Sequence, residues 1–161
     1  MKNINKTATI LYFCLLCIFL LAFSTSVFAQ AENYGNNPKA GKYFDGRGFK
    51  MYYEIYGQGE PLLIIHGNGG SIQDFTNQIP FFDKHYNVIL ADSRAQGKSA
   101  DPGDSLSYEM MADDLDALLD HLNIKSCKVI GWSDGGINGL LLAIRHPEKV
   151  NKLAVTGANL V

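Results

Sequence analysis

The stretch "KVIGWSDGGINGLLLA", Lys128 to Ala143, decides how this chain is read. A short β-like run, Lys128 to Ile130, meets a glycine and then a serine boxed by glycines. An apolar stretch with helical spacing follows at once. Gly131-Trp132-Ser133-Asp134-Gly135 matches G-x-S-x-G, the pattern in which a serine occupies a strained turn between a strand and a helix. The glycines are needed because side chains there would strike the neighbouring strand and helix. Such a corner pushes the serine Oγ out above the sheet. It also aims the first N–H groups of the helix, which have no partner in the helical ladder, at the same point, where the helix dipole favours negative charge. Five residues alone describe an ordinary glycine-rich turn equally well. The context carries the reading.

That context begins at His66-Gly67-Asn68-Gly69-Gly70, directly after the apolar run Leu62 to Ile65. A loop of this kind in this place supplies a second donor to an oxyanion. The backbone N–H of Asn68 is the candidate, paired with that of Asp134. Removing one such donor typically raises an acyl-transfer barrier by about 2.7–4 kcal/mol. The competing reading is a phosphate loop. Gly67 to Ile72 fails G-x-G-x-x-G at its last position, and no Lys-Ser or Lys-Thr completes a P-loop there.

The rest of the chain alternates strand and helix. Lys42 to Phe44 and Phe49 to Tyr56 read as strands about Asp45-Gly46. Leu62 to Ile65, Val88 to Ala91, Val129-Ile130 and Leu153 to Val155 are continuous apolar runs, as expected of strands covered on both faces. Ser71 opens a helix with Asp74 completing a capping box, and Pro80 interrupts it. Tyr108 to Leu122 is the clearest helix, with Met111, Leu115, Leu118, Leu119 and Leu122 on one face. Gly136 to Arg145 is another, stopped by His146-Pro147. This order predicts an α/β fold with a mostly parallel sheet and helices on both faces. The polar loop Asp92 to Ser99 follows the strand Val88 to Ala91 and reads as a turn holding a buried ion pair.

Composition bounds the function. The chain has 161 residues and a formal net charge of −2. Lys2 and Lys6 precede an unbroken apolar run of 14 residues, Ile10 to Phe23, followed by small residues suited to cleavage near 29 or 31. Residues 1–31 are therefore expected to be an export signal, with a retained membrane anchor as the alternative. The run is short for a bilayer span. Export predicts a periplasmic or secreted protein with no stable membrane association once the signal is removed. All 16 acidic residues lie after residue 31, and no basic patch suggests nucleic acid. Cys14 and Cys17 belong to the signal, which leaves Cys127 alone and without a disulfide partner. Residues 32–41, rich in Asn, Gly and Lys, are expected to be a linker, and 42–161 one domain. No metal or cofactor is expected, and the oligomeric state is open.

These elements, in this order and spacing, resemble the α/β-hydrolase family over about Tyr43 to Val161. Within it, "GWSDGG" and the later "KLAVTGANLV" resemble the valacyclovir hydrolase (biphenyl hydrolase-like) branch. The resemblance implies the α/β-hydrolase fold, with Ser133 as nucleophile and the N–H groups of Asn68 and Asp134 as oxyanion donors. Gly67 and Trp132 flank the same point as substrate contacts. In that branch the acid after the nucleophile recognises the ammonium group of α-amino acid esters, a role that falls on Asp134. A helix-start acid stabilising the dipole is the plainer alternative. The family's D-x-R-G-x-G-x-S loop has Ala95 in place of its first glycine. The "HGNGG" loop is closer to generic hydrolases than to that branch. Serine at the nucleophile position excludes the aspartate chemistry of haloalkane dehalogenases and epoxide hydrolases. Hydrolysis of esters, thioesters, lactones or C–C bonds remains open.

A serine hydroxyl needs a base. In this fold the order is Ser, then Asp or Glu, then His. Glu148 is the only acid after Asp134, and no histidine follows His146. The expectation is an amino-terminal portion of a hydrolase, truncated after the sixth strand, without its triad acid and histidine and inactive as a chain of 161 residues. A non-catalytic product or a small-molecule binding remnant is the alternative. The small-molecule partner expected of the complete enzyme is a carboxylic ester, cleaved through an acyl-enzyme at Ser133.

Overall fold

The computed structural model describes residues 32–100, 103 and 106–159. The expected export signal, residues 1–31, lies outside them. Among the described residues no helix is long and apolar enough to cross a membrane.

The hairpin forms first along the chain. Strand β1 (Lys42–Gly46) and β2 (Phe49–Tyr56) pair antiparallel, with Gly46 opposite Phe49. The turn is Arg47-Gly48, not the Asp45-Gly46 expected from sequence. Both residues take positive φ, 51° and 83°. That is the pairing a two-residue type I′ hairpin requires. Register decides the matter, because Phe49, Met51 and Tyr53 must all face the same buried cluster.

Strands β3 (Glu60–Ile65), β4 (Tyr86–Ala91), β5 (Cys127–Trp132) and β6 (Val150–Thr156) complete a six-stranded sheet in the order β1-β2-β4-β3-β5-β6. β3 pairs parallel with β4 and β5, and β5 parallel with β6, while β2 meets β4 antiparallel. The continuous apolar runs divide between two faces. Leu63, Ile65, Ile89 and Val129 pack with Leu115, Leu118 and Leu119 of helix α2 (Tyr108–His121) and Leu142 of α3 (Asp134–Arg145). Leu62, Ile64, Val88 and Leu90 point the other way, onto Tyr34, Ile72, Phe75 and Ile79. Both faces are covered at β3 and β4, as the sequence pattern requires. β6 departs from it: Leu153 is half-buried and Ala154 and Val155 are exposed, because β6 is an edge strand paired only with β5 among the described residues. α2 and α3 have the bounds expected to within a residue or two.

The helix expected from Ser71 is a single 3₁₀ turn, Ile72–Phe75, and its capping box of Ser71 and Asp74 is present. Pro80 does not interrupt this helix. It sits in the first turn of a separate short helix, α1 (Ile79–Phe82), where a missing N–H costs nothing.

Residues 32–41, expected to be a linker, pack onto the domain. Tyr34 and Asn37 are buried, and the compact unit begins at Glu32. The anchor is Glu54, fully buried in β2. Its carboxylate accepts the N–H groups of Gly35 (2.7 Å) and Asn37 (3.0 Å) and the hydroxyls of Tyr52 (2.5 Å) and Tyr56 (2.7 Å). Burial, followed by the bond to Glu54, pushes both phenols far above their ordinary range. A buried carboxylate is tolerated only when its lone pairs are so occupied.

Chain order and sheet order part company at β3. The chain runs from β3 to its neighbour β4, then through α2 to β5 on the opposite side of β3. Open α/β sheets bind ligands at such a switch point, beyond the carboxyl ends of the strands. Here those ends carry the His66 loop and Ser133.

Candidate active site

Ser133 stands between β5 and α3 with φ 53° and ψ −123°. A side-chain-bearing residue reaches this region only under strain, which surrounding structure must hold. The hold is visible. Ser133 donates its N–H to Thr156 O at 2.8 Å, and its carbonyl accepts Gly136 N–H at 2.8 Å. The glycines around it have the steric reason expected. A Cβ on Gly131 would lie 2.3 Å from Gly135 O, and one on Gly135 would lie 2.2 Å from Ile65 O. A Cβ on Gly67 would stand 3.1 Å from the Cβ of Ser133, so the His66 loop passes directly beside the serine.

Asn68 is exposed at the apex of that loop, and Asp134 is the first residue of α3. Both line one cavity of about 270 Å³, together with Leu106, Ser107, Tyr108 and Met111. The helix ladder cannot reach the N–H of Asp134. The Asp134 carboxylate beside the Tyr108 hydroxyl raises the phenol above its usual range. Tyr108 and Asp134 also border a larger groove of about 670 Å³ along the apolar residues Ile137, Leu140, Leu141 and Ile144 of α3. Trp132, just before the serine, is 45% exposed. The structure thus brings Gly67, Asn68, Ser133 and Asp134 together, with Trp132 at the margin. Sequence reasoning missed Tyr108; a tyrosine opening the clearest helix is the signal that could have flagged it.

The histidines are engaged elsewhere. His66 is buried, with Nδ1 2.7 Å from Gly67 O and Nε2 accepting Ser93 N–H at 2.9 Å. That bonding requires the Nδ1–H tautomer and leaves neither nitrogen for the serine. His121 lies against Phe44, and His85 against Phe81. His146 bridges Asp113 and Asp116 at 2.9 and 3.3 Å.

The loop after β4 holds the ion pair expected of it. Arg94 pairs with Asp114 of α2, and both are buried. The rest of the loop faces the His66 loop. Asp92 accepts Ile72 N–H at 2.9 Å and Lys98 N–H at 2.7 Å, while burial pushes its carboxyl above the usual range. Gln96 Oε1 accepts Gly69 N–H at 2.7 Å. Ala95 holds the left-handed conformation, φ 59°, that a glycine would occupy without strain.

Known proteins resemble this chain in sequence and fold. The profile of the family described as alpha/beta hydrolase fold matches residues 60–160. The 2-hydroxymuconate semialdehyde hydrolase of Pseudomonas sp. (strain CF600) is 33% identical over 127 residues, covering 76% of this chain and 45% of that protein. The 3-oxoadipate enol-lactonase 2 of Acinetobacter baylyi is 35% identical over 107 residues, covering 65% of this chain and 40% of the relative. A solved structure of an N-acyl homoserine lactone degrading enzyme superposes with a TM-score of 0.70 at 29% identity, covering 73% of this chain and 45% of that one. The matches therefore span less than half the length of these relatives. A family profile over most of the chain, a sheet of the same form and a strained serine at its switch point agree, and the chain belongs to the alpha/beta hydrolase family.

Proposed function

We propose that this chain carries the nucleophile and oxyanion half of a serine hydrolase acting on carboxylic esters. The observation that carries the reading is the strained Ser133, beside Gly67 and adjoining a cavity shared by Asn68 and Asp134. In the proposed reaction Ser133 Oγ attacks the ester carbonyl while a base takes its proton. The carbonyl oxygen gains the negative charge and accepts the N–H groups of Asn68 and Asp134. Collapse expels the alkoxide, which leaves with that proton, and water then hydrolyses the acyl-serine. An ammonium group on the acyl side would meet the Asp134 carboxylate, which favours α-amino acid esters among the substrates. The same reading has residues 1–31 direct the protein out of the cytoplasm.

All 4 histidines of the chain are among the described residues and are engaged away from Ser133. The reading therefore assigns the base and its acid to residues outside those described. It follows that the 161-residue chain alone turns over nitrophenyl esters no faster than its Ser133→Ala variant. Free imidazole can stand in for the absent base. Incubation with nitrophenyl acetate and imidazole should place an acetyl group on Ser133, read by peptide mass spectrometry. Acetylation confined to lysines, at rates identical in the Ser133→Ala chain, would overturn the proposal. So would Ser133-dependent turnover without imidazole, which would mean a base is already present.

A further inference from the structure

We propose that Gln96 is a positioning residue for the oxyanion loop, holding its turn in one of two peptide orientations; this rests on the reading of Asn68 as an oxyanion donor. Gly70 N–H donates to Gly67 O at 3.1 Å, so residues 67–70 form a β-turn with Asn68 and Gly69 at its centre. Of these two only Gly69 has a positive φ, 68°, the pattern of a type II turn. Type I and type II turns differ by turning over the central peptide, here the one joining Asn68 to Gly69. The N–H of that peptide is the group Gln96 Oε1 holds at 2.7 Å. Turning it over would break this bond and swing the carbonyl of Asn68, the residue whose own N–H is the proposed donor, to the side of the turn where the Gly69 N–H had been.

The loop after β4 is built to deliver this contact. It grips the oxyanion loop at both ends as well, through Ser93 N–H to His66 Nε2 and Ile72 N–H to Asp92 Oδ1, each 2.9 Å. His66 and Asp92 are buried and serve packing too. Gln96 is half-buried, and its contact falls at the apex. Its own backbone is folded tightly. Ala95 just before it is left-handed, and a Cβ on Gly97 just after it would lie 2.2 Å from Asp92 Oδ2. Local strain of this kind survives where the surroundings over-determine it, often beside functional groups. The chemistry of the acceptor matters too. A carboxylate at position 96 would hold Gly69 N–H equally well, yet it would set a negative charge beside a developing oxyanion. An amide oxygen orients the turn without that repulsion.

Two substitutions separate these effects. Gln96→Met keeps the length and removes the acceptor; Gln96→Glu keeps an acceptor and adds charge. Amide exchange at Gly69 by NMR reads the contact, and imidazole-assisted acetylation of Ser133 reads its purpose. In Gln96→Met, Gly69 exchange should rise several-fold and acetylation should fall roughly tenfold, since small misplacements at reacting centres have effects of this order. The melting temperature should hold. In Gln96→Glu, Gly69 should stay protected while acetylation still falls. Unchanged Gly69 exchange in Gln96→Met would show that the contact is absent. Faster exchange with unchanged acetylation would show that it has no bearing on the reaction. If Ser133 of the unaltered chain is never acetylated, the function proposed above fails and the catalytic purpose of Gln96 fails with it. The Gly69 exchange rates would still decide separately whether the contact exists.

Discussion

Arg94 meets Asp114 fork to fork, with Nε 2.8 Å from Oδ2 and Nη2 2.8 Å from Oδ1, both side chains almost wholly buried. The guanidinium also lies 4.2 Å over the Phe49 ring. Arg47, in the hairpin turn, reaches the same carboxylate at 2.7 Å. One acid on α2 thus joins the first hairpin, the loop after β4 and the helix layer. Removing one partner of a buried pair leaves the other charge uncompensated, at about 3–5 kcal/mol. Asp114→Ala is expected to lose that much in urea denaturation. The midpoint should drop with little change of slope. A loss below about 1 kcal/mol, the range of surface pairs, would mean water reaches the site.

Ala95 offers the opposite result. Left-handed backbone costs a non-glycine residue about 1–2 kcal/mol, while a new glycine gives back about 0.4–1 kcal/mol to the unfolded chain. Ala95→Gly should therefore stabilise by roughly 0.5–1 kcal/mol, seen as a higher melting temperature. A lower one would mean that φ 59° is relaxed by contacts around the loop.

The glycines of α3 should respond unequally. A Cβ at Gly135 would be driven into backbone oxygens of Ile65 and His66, at 2.2 and 2.5 Å. Backbone in adjoining elements cannot step aside, so Gly135→Ala should yield insoluble chain or a loss above the roughly 1–3 kcal/mol usual for overpacking. At Gly139 the nearest atoms are ends of the Leu153 and Val129 side chains, at 3.0 and 3.3 Å. Gly139→Ala should fold, and the gain in helix propensity should offset much of the crowding. Equal behaviour of the two variants in circular dichroism melts would contradict the steric account of the elbow.

Acid should unfasten the outer layer first. Asp113 accepts Arg145 Nε and Nη2, each at 2.8 Å, and His146 Nε2 at 2.9 Å. The Arg145 bonds chiefly, with His146 adding, hold its carboxyl at about 2, below its ordinary 3.8. A carboxyl lowered on folding adds stability that is complete above its unfolded value and is lost as pH falls through the folded one. The melting temperatures of the wild-type chain and Asp113→Asn should differ most above about pH 5 and converge toward about pH 2. A gap that stays constant down to pH 2 would mean that Asp113 acts by packing.

Local steric rules were legible in the sequence, and long-range polar partners were not. The elbow could be read because Gly131, Ser133 and Gly135 express one requirement within five residues. The strands could be read because Leu62 to Ile65 and Val88 to Ala91 feed two covered faces. The hairpin turn was displaced by two residues because its register answers to the packing of Phe49 and Met51 on a distant cluster. The segment 32–41 has the composition of a tether. It is held by Glu54, whose partners Gly35 and Asn37 lie 19 and 17 positions away. Asp114 looks like one more acid on an acidic helix until Arg94, 20 positions back, is placed against it. Gln96 and Gly69, 27 positions apart, met no pattern at all.

Trp132 is the only tryptophan in the chain and adjoins Ser133 directly. It is half in water, and its indole nitrogen is 3.7 Å from where a Cβ on Gly157 would lie. Its emission colour therefore comes from one spot, unmixed with any other indole. The protein contains its own optical probe of the elbow. Ligand arrival, covalent adducts at the serine and the first loosening of the β5 and β6 ends can be followed as shifts in one fluorescence band, without a dye or a label.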